Sequence, residues 1–251
     1  MPLITDPMAA LLVSAVFLLA GFIKGVAGFG LPTVTLGILA LSRPLPEAMA
    51  LMLVPALATN IWQALAGPAL WTALRRLRGF LVASGIGAVA GAGILARSDA
   101  VALSGVLGLL LVVSSGLALS GWPMPPPGPG RERWVSPLMG GLSGLLTGMT
   151  GSFLMPAAPY FAALRLPPQE FVQGFGLGVV VATLALAAGM AGANLLPPEL
   201  GLASLAGVVP AFLGMTAGQR VRRGMPDARF RQIVQAALGV LGVYLTFKAF
   251  G

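Results

Sequence analysis

The stretches GFIKGVAGFGLP (residues 21–32) and GLLTGMTGSFLMP (residues 144–156) repeat one spacing of glycines inside long apolar runs. The glycines correspond at an offset of 123 residues: Gly21, Gly25 and Gly28 with Gly144, Gly148 and Gly151. Hydrophobic segments interrupted by glycine and proline at corresponding points of two halves indicate the binding site of a secondary transporter. Close helix packing through small residues is the alternative explanation. A Gly-x-Gly-x-Pro interruption is more than packing needs, so we expect each stretch to break a helix at a binding site.

The correspondence extends beyond the glycines and divides the chain into two repeats. At the same offset three further pairs align: Glu47 with Glu170, Asn60 with Thr183, and Gly91 with Gly214. Between the repeats lies a proline-rich stretch, which cannot form a regular helix. We therefore predict a first membrane repeat at residues 1–121, a cytoplasmic linker at 122–133 and a second membrane repeat at 134–251.

The composition is that of an integral membrane protein. The chain is 57% hydrophobic and only 9% charged, whereas a soluble domain is about one quarter charged. Its apolar runs are long enough to cross a bilayer. A net charge of +8 would suggest nucleic acid as the partner of a soluble protein. Here the arginines flank apolar runs, where they orient helices, so we expect a lipid bilayer and no nucleic acid as the surroundings.

The absence of histidine and cysteine narrows the possible chemistry. No histidine is available as a general base or metal ligand, and no cysteine as a thiolate. The seven acidic residues lie at the ends of apolar runs or between them, so no titratable groups converge within the bilayer as a membrane enzyme would require. We expect no enzymatic activity, no cofactor and no metal site.

Each repeat is predicted to contain one broken apolar run and three spans. The broken runs cover residues 8–41 and 134–164, and the spans cover 46–66, 79–96, 101–121, 168–193, 200–219 and 230–250. One crossing needs about 20 residues. The broken runs are too long for one straight crossing and short for two, so each either continues through the membrane or turns back.

The distribution of arginines favours broken runs that turn back within the membrane. Residues 67–79 carry three arginines, whereas the equivalent residues 193–199 carry no basic residue. The next pair is reversed, because 219–231 carries five arginines and 97–99 only one. Basic segments stay in the cytoplasm, so equivalent segments lie on opposite sides of the membrane. The predicted fold is therefore an all-α polytopic membrane protein with two inverted repeats, each a re-entrant helical hairpin followed by three transmembrane helices, and with both termini outside.

Two re-entrant tips would form an anion site. Half-helices beginning near Leu31 and Leu154 would present backbone N–H groups and the positive end of the helix dipole. We expect the two tips to meet near the membrane midplane and to bind a small anion.

Lys24 adds a charge to the first tip. A lysine at the bilayer centre costs at least ~2.5 kcal/mol, which favours a functional role. Snorkelling to an interface is the alternative. The predicted substrate-binding residues are Lys24, Gly25, Gly28, Phe29, Gly30, Thr33, Asn60, Thr147, Gly148, Thr150, Gly151 and Ser152. Some of the hydroxyl groups are expected to bond only to the preceding helical turn.

Glu47 and Glu170 follow prolines at the start of the span after each broken run. A proline followed by glutamate is typical of a helix start, so a capping role is one explanation. Proton coupling is the other. The coupling ion, a proton or sodium, stays open at this stage, as does homo-oligomerisation.

The motif G-F-x-K-G-x-x-G-F-G at residues 21–30 resembles that of the sulfite exporter TauE/SafE family of bacterial membrane proteins. Its recurrence from residue 144, the proline after each copy and the length near 250 residues agree with this resemblance. The second copy departs by carrying Ser152 and Phe153 in place of Phe29 and Gly30. The resemblance implies a multi-pass carrier in the bacterial plasma membrane for sulfite, sulfonates or related sulfur-containing anions, working by alternating access. A lipid-phosphate carrier and a non-catalytic membrane scaffold are the alternatives.

Overall fold

The computed structural model describes residues 7–122, 124–128, 130–222 and 227–251, with only the backbone at 227–229 and 231. These residues are almost entirely helical and contain no strand. The helices are α1 (Pro7–Ala27), α2 (Leu31–Leu39), α3 (Leu45–Leu65), α4 (Leu70–Leu95), α5 (Ala100–Ser120), α6 (Glu132–Thr150), α7 (Ala157–Ala163), α8 (Pro168–Gly192), α9 (Pro198–Ala206), α10 (Val208–Arg222) and α11 (Asp227–Phe250).

The predicted all-α membrane fold is confirmed. Within the described ranges, 7 helical segments are long and apolar enough to cross a membrane, and α9 with α10 forms one of them. They coincide with the predicted spans and with the first broken run. The helix α6 is not among them, because its serines, threonines and glycines lower its hydropathy. Leucine, isoleucine and valine side chains are exposed along the outer faces of several spans, as contact with lipid requires.

The chain divides into two compact units, and each unit takes segments from both halves of the sequence. Unit 1 comprises Met1–Ala56, Ser98–Gly121 and Asn194–Gly251; unit 2 comprises Leu57–Arg97 and Trp122–Ala193. Unit 1 therefore holds α1, α2, α5, α9, α10, α11 and the first half of α3. The boundaries of the predicted repeats do not coincide with the boundaries of these units. The division of the chain into repeats stays a prediction.

In unit 2 the broken run α6–α7 returns to the side on which it starts. At one end, Arg76 of α4 bonds Glu132 of α6, and Gly174 of α8 lies against Leu77 of α4. At the other end, α4 lies against Gly148 of α6 and Gly189 of α8. Because α6 and α8 both run parallel to α4, the chain between them must cross back. This is the path that a re-entrant hairpin requires.

Unit 1 contains two further helix pairs with a defined direction. Helix α1 runs parallel to α10, with Leu18 against Gly214 and Phe22 against Gly218. Helices α5 and α11 run antiparallel, since Gly108 lies against Gly242 whereas Ser115 bonds Gln235 at 3.4 Å. Because α5 and α11 close the two sequence repeats, their opposite directions support inversion. The orientation of the repeats relative to a membrane stays a prediction.

The same contacts between glycine-bearing helices occur in both units, and they correct the predicted alignment of Gly91 with Gly214. Gly25 of α1 lies against Met215 of α10 in unit 1, and Gly148 of α6 lies against Ala88 of α4 in unit 2. The reciprocal contacts are Gly218 against Phe22 and Gly91 against Leu145. Gly91 therefore corresponds to Gly218, and its predicted alignment with Gly214 is wrong by one helical turn. The reason is that α8 has 25 residues and α3 has 21, which shifts everything after α8 by one turn.

Several basic residues predicted to lie between spans belong to helices instead. The helix α4 begins at Leu70, so Arg75, Arg76 and Arg78 lie within its first turns. Arg220 and Arg222 lie in the last turn of α10, and Arg223 is outside the described residues. Helix ends extend beyond the apolar part of each span because a charged side chain there can remain in water.

Candidate functional site

The first helix break lies between α1 and α2 in unit 1. The N–H of Gly28 donates to the carbonyl of Lys24 at 2.7 Å and ends α1. Gly28 has a φ of 86° and Gly30 a φ of 104°, a region that favours glycine. These two glycines turn the chain within three residues. The predicted break is confirmed, and α2 begins at Leu31 as expected.

The start of α2 presents backbone donors without a side-chain cap. Its N-cap is Gly30, which makes no side-chain hydrogen bond, and its second residue is Pro32. Intrahelical bonding begins with the N–H of Val34, which donates to the carbonyl of Gly30 at 2.9 Å. The start of α2 therefore places the positive end of its helix dipole at the break, where an anion can bind.

Lys24 is buried in the last turn of α1, with 2% of its surface exposed. Its side chain therefore does not extend to an exposed interface, and the snorkelling alternative is wrong. By contrast, Gly28, Phe29 and Gly30 are partly exposed. A Cβ built on Gly30 would meet no atom of the described chain within 4 Å. A buried lysine thus lies in the last helical turn before the break, and the backbone of the break itself is accessible.

Arg222 is a further cation at this break that sequence reasoning missed. A Cβ built on Gly28 would lie 3.9 Å from Nη1 of Arg222. The sequence placed Arg222 in a segment between spans, with no contact to the first repeat. The α1–α10 pairing explains its position, because Gly25 lies against Gly218 and the next turn of α10 therefore reaches Gly28. Only the register between these two helices could have identified it.

The second break lies in unit 2 and begins like the first. The N–H of Gly151 donates to the carbonyl of Thr147 at 2.7 Å, and Gly151 has a φ of 75°. The helix α7 then begins at Ala157, three residues later than predicted, because residues 152–156 are not helical and Pro156 lies at its N-cap. With 7 residues, α7 is only about two turns long and carries a weaker dipole than a full half-helix would.

Hydroxyl groups at the second break bond to their own helix. Thr147 Oγ1 donates to the carbonyl of Ser143 at 2.6 Å, and Thr150 Oγ1 donates to that of Leu146 at 2.7 Å. The expectation that some hydroxyls bond only to the preceding turn is confirmed for Thr150, whereas Thr147 Oγ1 also lies 3.2 Å from the carbonyl oxygen of Ser152. The counterparts of Lys24 and Arg222 in unit 2 are Thr147 and Leu95. Both cations at the breaks therefore belong to unit 1.

The predicted site residues fall into two groups. Unit 1 brings together Lys24, Gly25, Gly28, Phe29, Gly30 and Thr33; unit 2 holds Asn60, Thr147, Gly148, Thr150, Gly151 and Ser152. Gly25 and Gly148 lie at helix contacts, where a side chain would overlap the backbone of the neighbouring helix. Asn60 and Ser152 are buried. Binding of substrate by any of these residues stays a prediction.

Residues 13–245 match a family model described as Sulfite exporter TauE/SafE. This match covers nearly the whole chain, including both helix breaks. No curated protein and no solved structure gives a significant match.

Proposed function

Because the chain belongs to the sulfite exporter TauE/SafE family, we propose that it is a secondary transporter that moves a small anion by alternating access. The proposed substrates are sulfite, a sulfonate or a related sulfur-containing or organic anion. The family consists of transporters rather than enzymes, and the described helices make the chain a multi-pass membrane protein. We place it in the bacterial plasma membrane.

The observation that carries this proposal is the pairing of cations with an open helix start at the first break. Lys24 is buried, Arg222 reaches Gly28, and α2 starts at Leu31 with no side-chain cap. Burying a lysine in a membrane is costly unless an opposite charge or a backbone acceptor compensates it. An anionic substrate supplies such a charge each time it binds.

The chemistry of the donors fits an oxyanion with several oxygens. An ammonium group is a compact point charge with three donors, and a guanidinium group can bind two oxygens through its planar fork. Backbone N–H groups at a helix start add donors in fixed positions. Sulfite and sulfonate groups each carry three oxygens, so they can accept from all three kinds of donor at once.

Unit 2 has a different part in the proposal. Its break carries no cation, and two of its hydroxyls bond to their own helix. We assign to Gly151 a conformational role at the end of α6, and to Ser152 and Asn60 the role of neutral polar contacts. The two breaks therefore differ in charge, and we assign the charged contacts of the substrate to unit 1.

Binding is tested first with the purified protein. Thermal stability is measured with sulfite, sulfate, thiosulfate, sulfoacetate and small carboxylates at equal ionic strength, since a ligand of the native state raises stability by mass action. We expect at least one sulfur oxyanion to raise the melting temperature, and Lys24→Met to lose that rise. Stabilisation by phosphatidic acid and by none of the small anions would favour a lipid-phosphate carrier.

Transport is tested in proteoliposomes loaded with the anion that binds. External labelled anion should exchange with the internal pool, and protein-free vesicles should show no such exchange. Lys24→Met provides the inactive control, because it keeps most of the side-chain volume and removes the charge. Binding without exchange in the wild-type protein would contradict the transporter assignment.

A further inference from the structure

Glu170 is a buried carboxyl group in the first turn of α8 that cannot form a capping box. It is 8% exposed, and its Oε1 has no hydrogen-bond partner among the described residues. A glutamate at this position usually reaches back to the N–H at the helix N-cap. Here the N-cap is Pro167 and the next residue is Pro168, and neither carries an N–H. A capping box at Glu170 is therefore excluded, and what remains of the helix-start explanation is the attraction between an acidic side chain and the positive end of the helix.

The corresponding residue of the first repeat has a different environment. Glu47 has a side chain that is 44% exposed and lies 3.6 Å from Arg43 Nη1. Its carboxylate is thus hydrated and paired, whereas Glu170 is enclosed. An isolated carboxylate in an apolar site is far more costly than a neutral carboxyl group. The second repeat therefore holds a carboxyl group that is enclosed where its counterpart in the first repeat is exposed.

The charged and titratable groups around Glu170 come from the neighbouring helices of unit 2. On α4, Arg76 lies within electrostatic range of Glu170, but its guanidinium donates to Glu132 of α6 at 3.0 and 3.2 Å. On α7, Tyr160 is fully buried. Arg165, before α8, is exposed. Arg76 therefore moderates the negative charge of Glu170 without forming a hydrogen bond to it.

Further polar atoms of this region lack partners. The hydroxyls of Tyr160 and Ser136 are close enough to interact, yet in the described chain neither makes a hydrogen bond of standard geometry. Both residues are at least nine-tenths buried. Arg76 also lines a cavity of about 720 Å³ with Trp71, Thr72 and Arg75. This cavity is open to the surface, so water reaches the outer side of Arg76.

We propose that Glu170 is the proton-binding site that couples anion transport to the proton gradient; this inference rests on the proposed function. A proton from water binds a carboxylate oxygen of Glu170, which changes its charge from −1 to 0 and removes the cost of burying it. When the proton leaves to water, the carboxylate is compensated by Arg76, which can exchange Glu132 for Glu170. Glu170 is then neutral in one arrangement of these helices and charged in the other. Coupled transport requires such a difference between two states.

The test compares Glu170→Gln with Glu47→Gln in proteoliposomes, using sulfoacetate or thiosulfate, whichever exchanges. Two processes are measured: exchange at equal pH, and accumulation driven by a pH gradient. We expect the wild type and Glu47→Gln to perform both, and Glu170→Gln to exchange anion but to lose the driven accumulation. Glutamine keeps the shape of the neutral carboxyl group and cannot release a proton.

Each other outcome has a distinct meaning. Wild-type exchange without any response to the pH gradient, or driven accumulation that persists in Glu170→Gln, would overturn the inference and leave the proposed function intact. Loss of exchange in Glu170→Gln would instead make it a substrate-binding or structural residue. A sodium gradient as the driving force would also overturn it. Absence of exchange in the wild type would remove the proposed function itself.

A second measurement needs no transport. Infrared difference spectra recorded across a pH step should show the carbonyl band of a protonated carboxyl group in the wild type and in Glu47→Gln. That band should be missing from Glu170→Gln. Its persistence there would assign the buried proton to another residue and overturn the inference.

Discussion

Lys24 is the residue on which the proposed binding site depends most. It is enclosed in the last turn of α1, and its carbonyl ends that helix by accepting the N–H of Gly28. Its position relative to the break is therefore set by its own backbone. In unit 2 the equivalent threonine uses its hydroxyl to bond to the preceding turn. The difference between a lysine and a threonine at this position makes the first break the charged one.

We predict that Lys24→Met weakens binding of the transported anion by about 1.5–3 kcal/mol, or roughly 10- to 150-fold, because a hydrogen bond between charged groups is lost. Lys24→Arg should restore affinity only in part, since its planar fork must fit a site shaped for an ammonium group. Isothermal titration of the three proteins measures this. An unchanged dissociation constant in Lys24→Met would remove Lys24 from the site.

Arg222 is expected to contribute less than Lys24. It is exposed, and an exposed charge is screened by water and salt. Arg222→Gln should weaken anion binding roughly two- to fivefold, the equivalent of about 0.5–1 kcal/mol. The matched control is Arg220→Gln, which removes the same charge from the same turn of α10. Equal effects of the two variants would mean that the anion responds to the overall positive potential of this helix end and not to a direct contact with Arg222.

At the scale of helices, glycines have two separable roles. Gly25 and Gly148 allow α1 and α6 to approach the backbone of a neighbouring helix, as small residues do in membrane proteins. Gly28, Gly30 and Gly151 have positive φ values and end or begin helices. The same glycine-rich stretch therefore contains packing positions and turn positions within a few residues. The alternative of packing alone applies to the first group only.

We predict opposite outcomes for leucine at these two kinds of position. Gly25→Leu should prevent stable folding, because its Cβ would overlap the backbone at Met215. Gly30→Leu should fold with a loss of about 1–2 kcal/mol from its left-handed backbone, since its Cβ meets no atom of the described chain within 4 Å. It should still block anion exchange. Size-exclusion profiles and exchange assays measure both effects, and normal exchange by Gly30→Leu would place the site elsewhere.

At the scale of the whole chain, the sequence repeats and the compact units divide the molecule differently. Each unit combines helices from both repeats. In unit 1, α1 of the first repeat packs on α10 of the second, and in unit 2, α6 of the second repeat packs on α4 of the first. Because the glycine-rich helix of each repeat packs on a helix of the other repeat, neither repeat can bury its glycine faces alone. The helix α3 belongs to both units, with Pro55 next to the division at Ala56.

The predicted inverted arrangement of the repeats can be tested by membrane sidedness. The chain contains no cysteine, so single cysteines can be introduced without a background. Arg75→Cys and Arg220→Cys should react with an impermeant maleimide from the cytoplasmic side. Glu199→Cys, near the start of α9, should react from outside. Reaction of Arg75→Cys and Glu199→Cys from the same side would contradict inversion, because these residues lie at the starts of equivalent segments.

The sequence by itself determined the class of the protein, the position of most helices and the first break. These features follow from local properties: hydropathy places spans, and glycine with proline interrupts helices wherever they occur. It also identified Lys24, because an ionisable residue inside an apolar run is unusual on composition alone. A glutamine inside an apolar run predicts a hydrogen bond between helices. Gln63 and Gln173 make such bonds, to the carbonyls of Val172 and Ala64.

Only the tertiary structure decided which residues far apart in sequence lie together. The additional turn in α8 changed the register of every later helix, so Gly91 corresponds to Gly218 and Arg222 reaches Gly28. Glu47 and Glu170 have the same sequence context, yet packing leaves one hydrated and encloses the other. Such differences depend on helix length and on the surface of the partner helix. A local sequence pattern shows the length of a span but not the surface that its partner helix presents, because that contact joins segments far apart in the sequence.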